Sequence, residues 1–283
     1  MADITAIILT KNEERNLRDC LASIAGFCSR AVVVDCGSTD RTVEIAREMG
    51  ADVLFHEFEY YAKQFNWAID SADIRTAWTL RLDADERMTP AVVRACEVLI
   101  AEGRVSGVTM ESTYYFLGRA IEHGISKKRK LMLFRTGVGR IEDRKRDAHT
   151  ILASGESALI KPRFIHHDFK DVSSYIARYN WYATREMLDY VIFVSGASAD
   201  VATDATIRKK RRAKFGLYYR APRFLRAKLW FFYNYVFRLG FLDGREGYLY
   251  HYLECDWYRT LVDAKILEYE KTGVLPGKLS ALE

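Results

Sequence analysis

The chain is predicted to be an α/β protein built on a doubly wound, mostly parallel sheet, and three observations lead there. Short apolar runs alternate with stretches of helical periodicity through the first hundred residues. Cap residues and glycines punctuate the change from one to the other. Polar clusters follow three of the runs at the same end, where open α/β sheets bind their ligands.

The elements follow in order. Ile4 to Leu9 ("ITAIIL") is a continuous β-branched run, the pattern of a strand buried on both faces. "EERNLRDCLASIAGF" sets Leu17, Cys20, Leu21 and Ile24 on one helical face. "AVVVD" is the second strand, and "STDRTVEIAREMG" the second helix, with Ser38 or Thr39 as its expected N-cap and Gly50 beyond its end. "ADVLF", the helix "YYAKQFNWAIDSA", the strand "AWTLRLD" and the helix "TPAVVRACEVLIAEG", with Pro90 in its first turn, complete the pattern.

Composition narrows the class. The chain has 283 residues, of which 49% are hydrophobic, enough for a sizeable core. Five scattered cysteines form no CxxC pair, so neither a zinc site nor a disulfide framework is expected, and a reducing cytosol suits them. The N-terminus lacks the charged-then-apolar pattern of a secretory signal, and no window of 18 apolar residues would span a bilayer. Neither G-x-G-x-x-G nor G-x-x-x-x-G-K-[ST] occurs, which argues against a dinucleotide fingerprint and a P-loop.

Charge is unevenly spread. Residues 207–242 hold eleven Lys and Arg and no Asp or Glu; subtracting these from the net +5 leaves −6 for the rest. The expected organisation is therefore an α/β domain over residues 1–205 and a basic, aromatic, helical region over 206–283 that would associate with a membrane. Trp, Phe and Tyr interleaved with Arg and Lys in "YYRAPRFLRAKLWFFYNYVFRLGF" suit an anionic membrane surface, or else a packed helix. Single-stranded nucleic acid would also accept such a surface, but no recognition motif supports it, and none is expected as a partner.

The polar clusters are Thr10-Lys11-Asn12-Glu13, Asp35-Cys36-Gly37-Ser38 and Asp83-Ala84-Asp85-Glu86. Three carboxylates within four residues at a strand end call for a cation. Mg²⁺ or Mn²⁺ commonly takes one or two carboxylates plus substrate phosphates. Along an extended segment Asp83 and Asp85 would share one face. His166 or His167, in "RFIHHDF", could reach a diphosphate or a metal, or could simply be structural. The run Lys127-Lys128-Arg129-Lys130 reads as a solvated face or as a clamp for an anionic acceptor.

"AIILTKNEERNLRDCLASI", "VVVDCGSTDRTVEIA", "YAKQFNWAID" and "WTLRLDADERMTP", in this order and spacing, resemble the inverting GT-A glycosyltransferases of family 2 across roughly the first 170 residues. "EDRKRDAHTILASGE", "YNWYATRE" and the stretch from "FRLGFLDGREG" onward resemble the bacterial branch that builds exopolysaccharide of the colanic-acid type. The resemblance implies a hexosyltransferase using Mg or Mn, a nucleotide-sugar donor and a polyprenyl-diphosphate-linked saccharide acceptor, on the cytoplasmic side of the inner membrane. It implies that Thr10, Lys11, Asn12, Glu13, Asp35, Ser38, Lys63, Asn66 and Asp83 bind the donor, and that Asp85, with His167, ligates the metal. Asp147 and His149 are the implied catalytic residues.

Two departures stand out. Cys36 replaces the usual Asp or Ser, and Ala148 stands where the branch has the Glu of Asp-Glu-His. With Asp147 as base the enzyme is intact; with the absent Glu as base it is impaired. Asp147 could otherwise be a surface partner of Arg144, Lys145 and Arg146. A nucleotide-binding membrane adaptor and a sugar nucleotidyltransferase are the competing classes; the second would need a glycine-rich loop after the first strand, which "LTKNEERN" lacks.

Overall fold

The computed structural model describes residues 2–124, 128–143, 149–167, 171–194, 216 and 218–275. The chain divides into two compact units, one of residues 1–120 with 126–169, the other of residues 121–125 with 170–283.

In the first unit the strands are β1 (Ala2–Thr10), β2 (Cys28–Asp35), β3 (Asp52–Phe55), β4 (Trp78–Asp83), β5 (Glu86–Arg87), β6 (Gly107–Phe116), β8 (Arg129–Arg135) and β11 (Ser157–His167), with β7 (Arg119–Ile121) paired to β6. They form one sheet in the order β3-β2-β1-β4-β8-β6-β11-β5. β3, β2, β1 and β4 are parallel, as the alternating pattern predicts. β8 runs antiparallel to both β4 and β6, so the sheet is mixed at its centre. Two short strands, β9 (Gly139–Ile141) and β10 (Thr150–Leu152), pair separately.

Helices cover both faces, which is why β1 reads as an unbroken apolar run. Ile4, Ala6 and Ile8 pack with Leu17, Cys20 and Ile24 of α1 (Leu17–Ile24), Ile45 of α2 (Thr42–Glu48) and Val92 and Cys96 of α4 (Pro90–Glu102). Ile7, Val32 and Val34 pack on the other face against Ala62, Phe65 and Ala68 of α3 (Tyr61–Ser71). Pro90 opens α4, Thr89 Oγ1 accepts from Val92 N, and Gly103 closes the helix with φ +68°.

Three expectations need correction. α1 starts at Leu17, not Glu13, because Asn12 adopts φ +56° and Glu13 carbonyl accepts from the amides of Asn16 and Leu17 in a turn. α2 starts at Thr42, and neither Ser38 nor Thr39 caps it. Ser38 hydroxyl is held by Asp35, and Asp40 Oδ1 accepts from Thr42 N instead. Asp83 and Asp85 do not lie along one extended segment: β4 stops at Asp83, Ala84 and Asp85 form a turn, and Glu86 begins β5.

The second unit is helical among the described residues: α5 (Val172–Val194), α6 (Leu225–Phe232), α7 (Gly244–His251) and α8 (Tyr258–Thr272). π-helical turns continue α6 through Phe237 and join α7 to α8. The division at 169/170 falls well before the boundary near 205 that the charge block suggests, because α5 belongs with the C-terminal helices. Its Glu186 accepts from Tyr258 hydroxyl at 2.5 Å and from Arg259 at 2.8 Å, and its Tyr175 hydroxyl donates to Glu254. No described helix is long and apolar enough to cross a membrane.

Candidate active site

Strand register brings the three polar clusters to one sheet edge. Thr10 lies opposite Asp35 across β1 and β2, and Leu9 opposite Asp83 across β1 and β4. The first two clusters are knitted together. Asp35 is buried, and its carboxylate accepts from Gly37 N and Ser38 N at 2.8 Å, from Thr10 hydroxyl at 3.0 Å and from Ser38 hydroxyl. Gly37 adopts φ +90°, a conformation open to glycine that lets two successive amides turn back onto Asp35. Asn12 N donates to Ser38 Oγ, Asn12 Oδ1 accepts from Thr39 N, Glu13 N donates to Thr42 hydroxyl, and Lys11 ammonium donates to the carbonyls of Cys36 and Gly37. Of the residues expected to face a nucleotide here, Thr10 and Asp35 hold the loop from within, while Lys11 and Asn12 are exposed.

The acidic triplet is resolved by two cations. Lys130 ammonium donates to Asp83 Oδ2 at 2.6 Å and to Glu86 Oε1, bridging both carboxylates. Asp83 Oδ1 accepts from Tyr61 hydroxyl at 2.8 Å, and Glu86 Oε2 accepts from Asp83 N at 3.0 Å. Arg81 donates to the same Tyr61 oxygen and lies 4.6 Å over its ring. Asp85 points elsewhere: its Oδ2 stands 3.1 Å from His166 Nε2. Burial opposes ionisation of Asp83, yet the charges of Lys130 and Arg81 outweigh it and hold the carboxyl below its usual range. Glu86, only 1% exposed, is pushed the other way by burial and by Asp83. Against burial, Asp85 and His166 each favour the charged form of the other.

Sequence reasoning missed part of this. Lys130 is not on a solvated face; its neighbour Arg129 does face outward and pairs with Glu111 at 2.8 Å. A signal for Tyr61 and Lys130 is faint, but Arg81, a guanidinium inside the otherwise apolar "TLRL", marked a polar interior. His166 rather than His167 meets Asp85. Adjacent strand residues face opposite ways, and the register pairs His166 with Glu86. His167 donates its amide to Asp85 carbonyl at 2.8 Å, and its ring lies 5.2 Å from Tyr115.

Other expected positions lie apart from the carboxylates or outside the described residues. Asn66 uses its amide on the backbone of Ile141, accepting from N at 3.0 Å and donating to O at 2.8 Å. Lys63 is exposed and paired with Glu59. His149 is exposed, and its carbonyl accepts from Glu142 N. Asp147, Ala148 and the neighbouring Arg144, Lys145 and Arg146 lie outside the described residues, as does Lys127.

The residues fit a divalent cation in one way. Among the described residues no group of three His, Cys, Asp or Glu forms a ready cage. Asp83 has both oxygens engaged by protein donors, which leaves Asp85, about one-fifth exposed and engaged through one oxygen, as the carboxylate that could take such an ion.

Residues 5–166 match the family described as Glycosyl transferase family 2. An uncharacterized glycosyltransferase of Rickettsia typhi is 34% identical over 101 residues, 36% of this chain and 34% of that protein. The lipopolysaccharide core biosynthesis glycosyltransferase LpsC of Rhizobium meliloti is 29% identical over 146 residues, 49% of this chain and 53% of that one. The matches thus span about a third to a half of those relatives. Among solved structures, S. aureus TarS 1-349 aligns at TM-score 0.48 and 15% identity, covering 97% of this chain and 92% of that one. Glucosyl-3-phosphoglycerate synthase from Mycobacterium tuberculosis, solved with Mn2+, UDP and glucosyl-3-phosphoglycerate, aligns at TM-score 0.32 and 19% identity over 40% and 44% of the chains. With a match over more than half its length, the chain belongs to glycosyl transferase family 2.

Proposed function

We propose that this protein is an inverting glycosyltransferase that moves a hexose from a nucleotide-sugar donor to a polyprenyl-diphosphate-linked saccharide in bacterial surface polysaccharide assembly. The observation that carries the reading is the split acidic turn: Asp83 held ionised by Lys130 within the fold, and Asp85 held apart from it at the carboxyl edge of the sheet. The family match supports transfer, and the relative named for lipopolysaccharide core biosynthesis supports a saccharide acceptor of that kind. The colanic-acid type is the branch that the later motifs resemble.

In this reading the loops around Lys11–Glu13 and Cys36–Ser38 receive the nucleotide, with Asp83 on the nucleoside. Asp85 would hold a Mg or Mn ion, and such an ion would supply positive charge against that of the departing diphosphate. The acceptor oxygen forms a bond to the anomeric carbon as the bond from that carbon to the diphosphate breaks. The hydroxyl proton passes to a carboxylate, which we assign to Asp147. His166 keeps Asp85 oriented and ionised through their pairing. The membrane reading places the protein at the cytoplasmic face of the inner membrane, peripherally, where a lipid-linked acceptor is reached.

Ala148 favours a second reading, a nucleotide-binding membrane adaptor without turnover. Thermal shifts measured with a panel of nucleotide sugars, with and without Mn²⁺, test the donor site, since a ligand selective for the native state raises the melting temperature. No shift with any of them refutes both readings. A shift with donor hydrolysis or transfer above background dismisses the adaptor.

A further inference from the structure

Of the eleven basic residues in the basic block, Arg208, Lys209, Lys210, Arg211, Arg212 and Lys214 lie outside the described residues, and three of the five that are described are paired with acids. Arg226 is buried against Asp263, Arg223 pairs with Glu270 at 2.5 Å, and Lys228 pairs with Asp256 at 2.6 Å. Apart from Lys228, what α6 presents outward is apolar. Leu225, Leu229, Phe232 and Val236 follow at spacings of four, three and four residues, one stripe of the helix and its π-helical continuation, and all are exposed. The opposite stripe holds Arg226, Ala227 and Asn234, all buried. A water-facing helix has the reverse pattern, with polar residues outward and apolar ones inward. The extra residue of the π turn also brings Phe237 out, 68% exposed, and Phe241 is exposed beyond it.

We infer that the face from Leu225 to Leu242 inserts into an anionic lipid bilayer through these apolar side chains, so that docking is hydrophobic first and electrostatic second. This rests on the membrane reading above and changes its mechanism from charge to insertion. Charge complementarity selects the occupant. Between Tyr218 and Arg245 each exposed charged side chain is basic (Arg220, Lys228, Arg238 and Arg245), while Asp243 is buried against His123. Aliphatic and phenyl groups flanked by charges of one sign match acyl chains beneath anionic headgroups. Trp230 and Phe231 are half-buried, and Phe231 packs with Tyr235, Tyr248 and Tyr252, an aromatic support beneath the stripe.

The test is flotation of the full chain with phosphatidylglycerol–phosphatidylethanolamine vesicles and with phosphatidylcholine vesicles. Binding to the anionic vesicles is expected to persist in about 1 M NaCl, where the Debye length is about 3 Å. The variant Leu229→Ser/Phe232→Ser/Phe237→Ser is expected to bind at least about tenfold less at that salt, with an unchanged melting temperature because the positions are exposed. If that variant does not fold, Phe237→Ser alone, read by brominated-lipid quenching of Trp230 against a Trp230→Phe control, makes the same comparison. Release by salt alone, with the serine variant unchanged, overturns insertion and leaves electrostatic attachment. A dimer that the serine substitutions dissolve, without vesicle binding, makes this face a self-interface and overturns the proposal. A monomer that binds neither vesicle overturns it together with the membrane reading. UDP and Mn²⁺ binding on the same preparations reports on the transferase reading separately.

Discussion

Replacing Lys130 by Met removes one ammonium and strands two carboxylates. The structure sets the size of the effect. Glu86 is 1% exposed and faces Lys130 directly, while Asp83 keeps Tyr61 hydroxyl and the charge of Arg81 after the change. Removing one partner of a buried ion pair costs about 3–5 kcal/mol. Because the Lys130 side chain is 21% exposed and Glu86 retains its bond from Asp83 N, the expected cost is near the lower end, about 3 kcal/mol at pH 8. Hydrogen exchange followed by mass spectrometry on a peptide covering Trp78–Asp83 should show protection falling by about 10²-fold, if its amides exchange through opening of the first unit.

The pH dependence has a definite sign. Burial and Asp83 already raise the Glu86 carboxyl, and losing Lys130 raises it further. A native state with a raised carboxyl pKa binds more protons than the unfolded chain. Stability is therefore greatest towards the unfolded value of about 4.3 and is lost as pH rises through the folded one. The penalty should shrink from pH 8 to pH 5.5, by about 1.4 kcal/mol for each unit of pKa elevation within that window. Adding Glu86→Gln should recover more than half of the loss. A cost below about 1 kcal/mol at pH 8, flat with pH, would refute the bridge.

The remaining expectations concern the site and the second unit. Asp85→Ala should abolish Mn²⁺-dependent nucleotide-sugar affinity while leaving the fold intact, with a lowered melting temperature because His166 loses its partner; calorimetry showing the same affinity would remove Asp85 from the metal role. Ala148→Glu raising turnover by orders of magnitude would make residue 148 the base position and this chain an impaired form. No gain there, with activity lost in Asp147→Asn, would support Asp147, and neither result would move the base elsewhere. Arg226→Met should destabilise the second unit by about 3–5 kcal/mol, because Asp263 is 1% exposed and loses its guanidinium. Unchanged exchange protection in Tyr258–Thr272 would contradict this.

What the amino-acid sequence determined by itself is the part of the protein governed by near neighbours. Apolar periodicity, the Thr89–Pro90 start and the Gly103 stop specify α4, and a run apolar on both faces specifies β1, since these depend on residues within a turn or a pleat of each other. The collection of Thr10, Asp35 and Asp83 at one edge was legible too, because parallel connections place all strand ends on one side. Tertiary structure decided what lies far apart in the chain. The partner of the acidic turn, Lys130, sits 47 positions from Asp83 within a run that reads as solvated, and pairing of β8 across the sheet is what delivers it. Which of two adjacent histidines meets Asp85 depends on a register, one residue of slip reversing the answer. Whether Arg223, Arg226 and Lys228 stand as free charges depends on Glu270, Asp263 and Asp256, which belong to α8 and the π-helical turn before it. Local chemistry is written in adjacent residues, whereas the neutralisation of a charge is settled by what folding brings within a few ångströms of it.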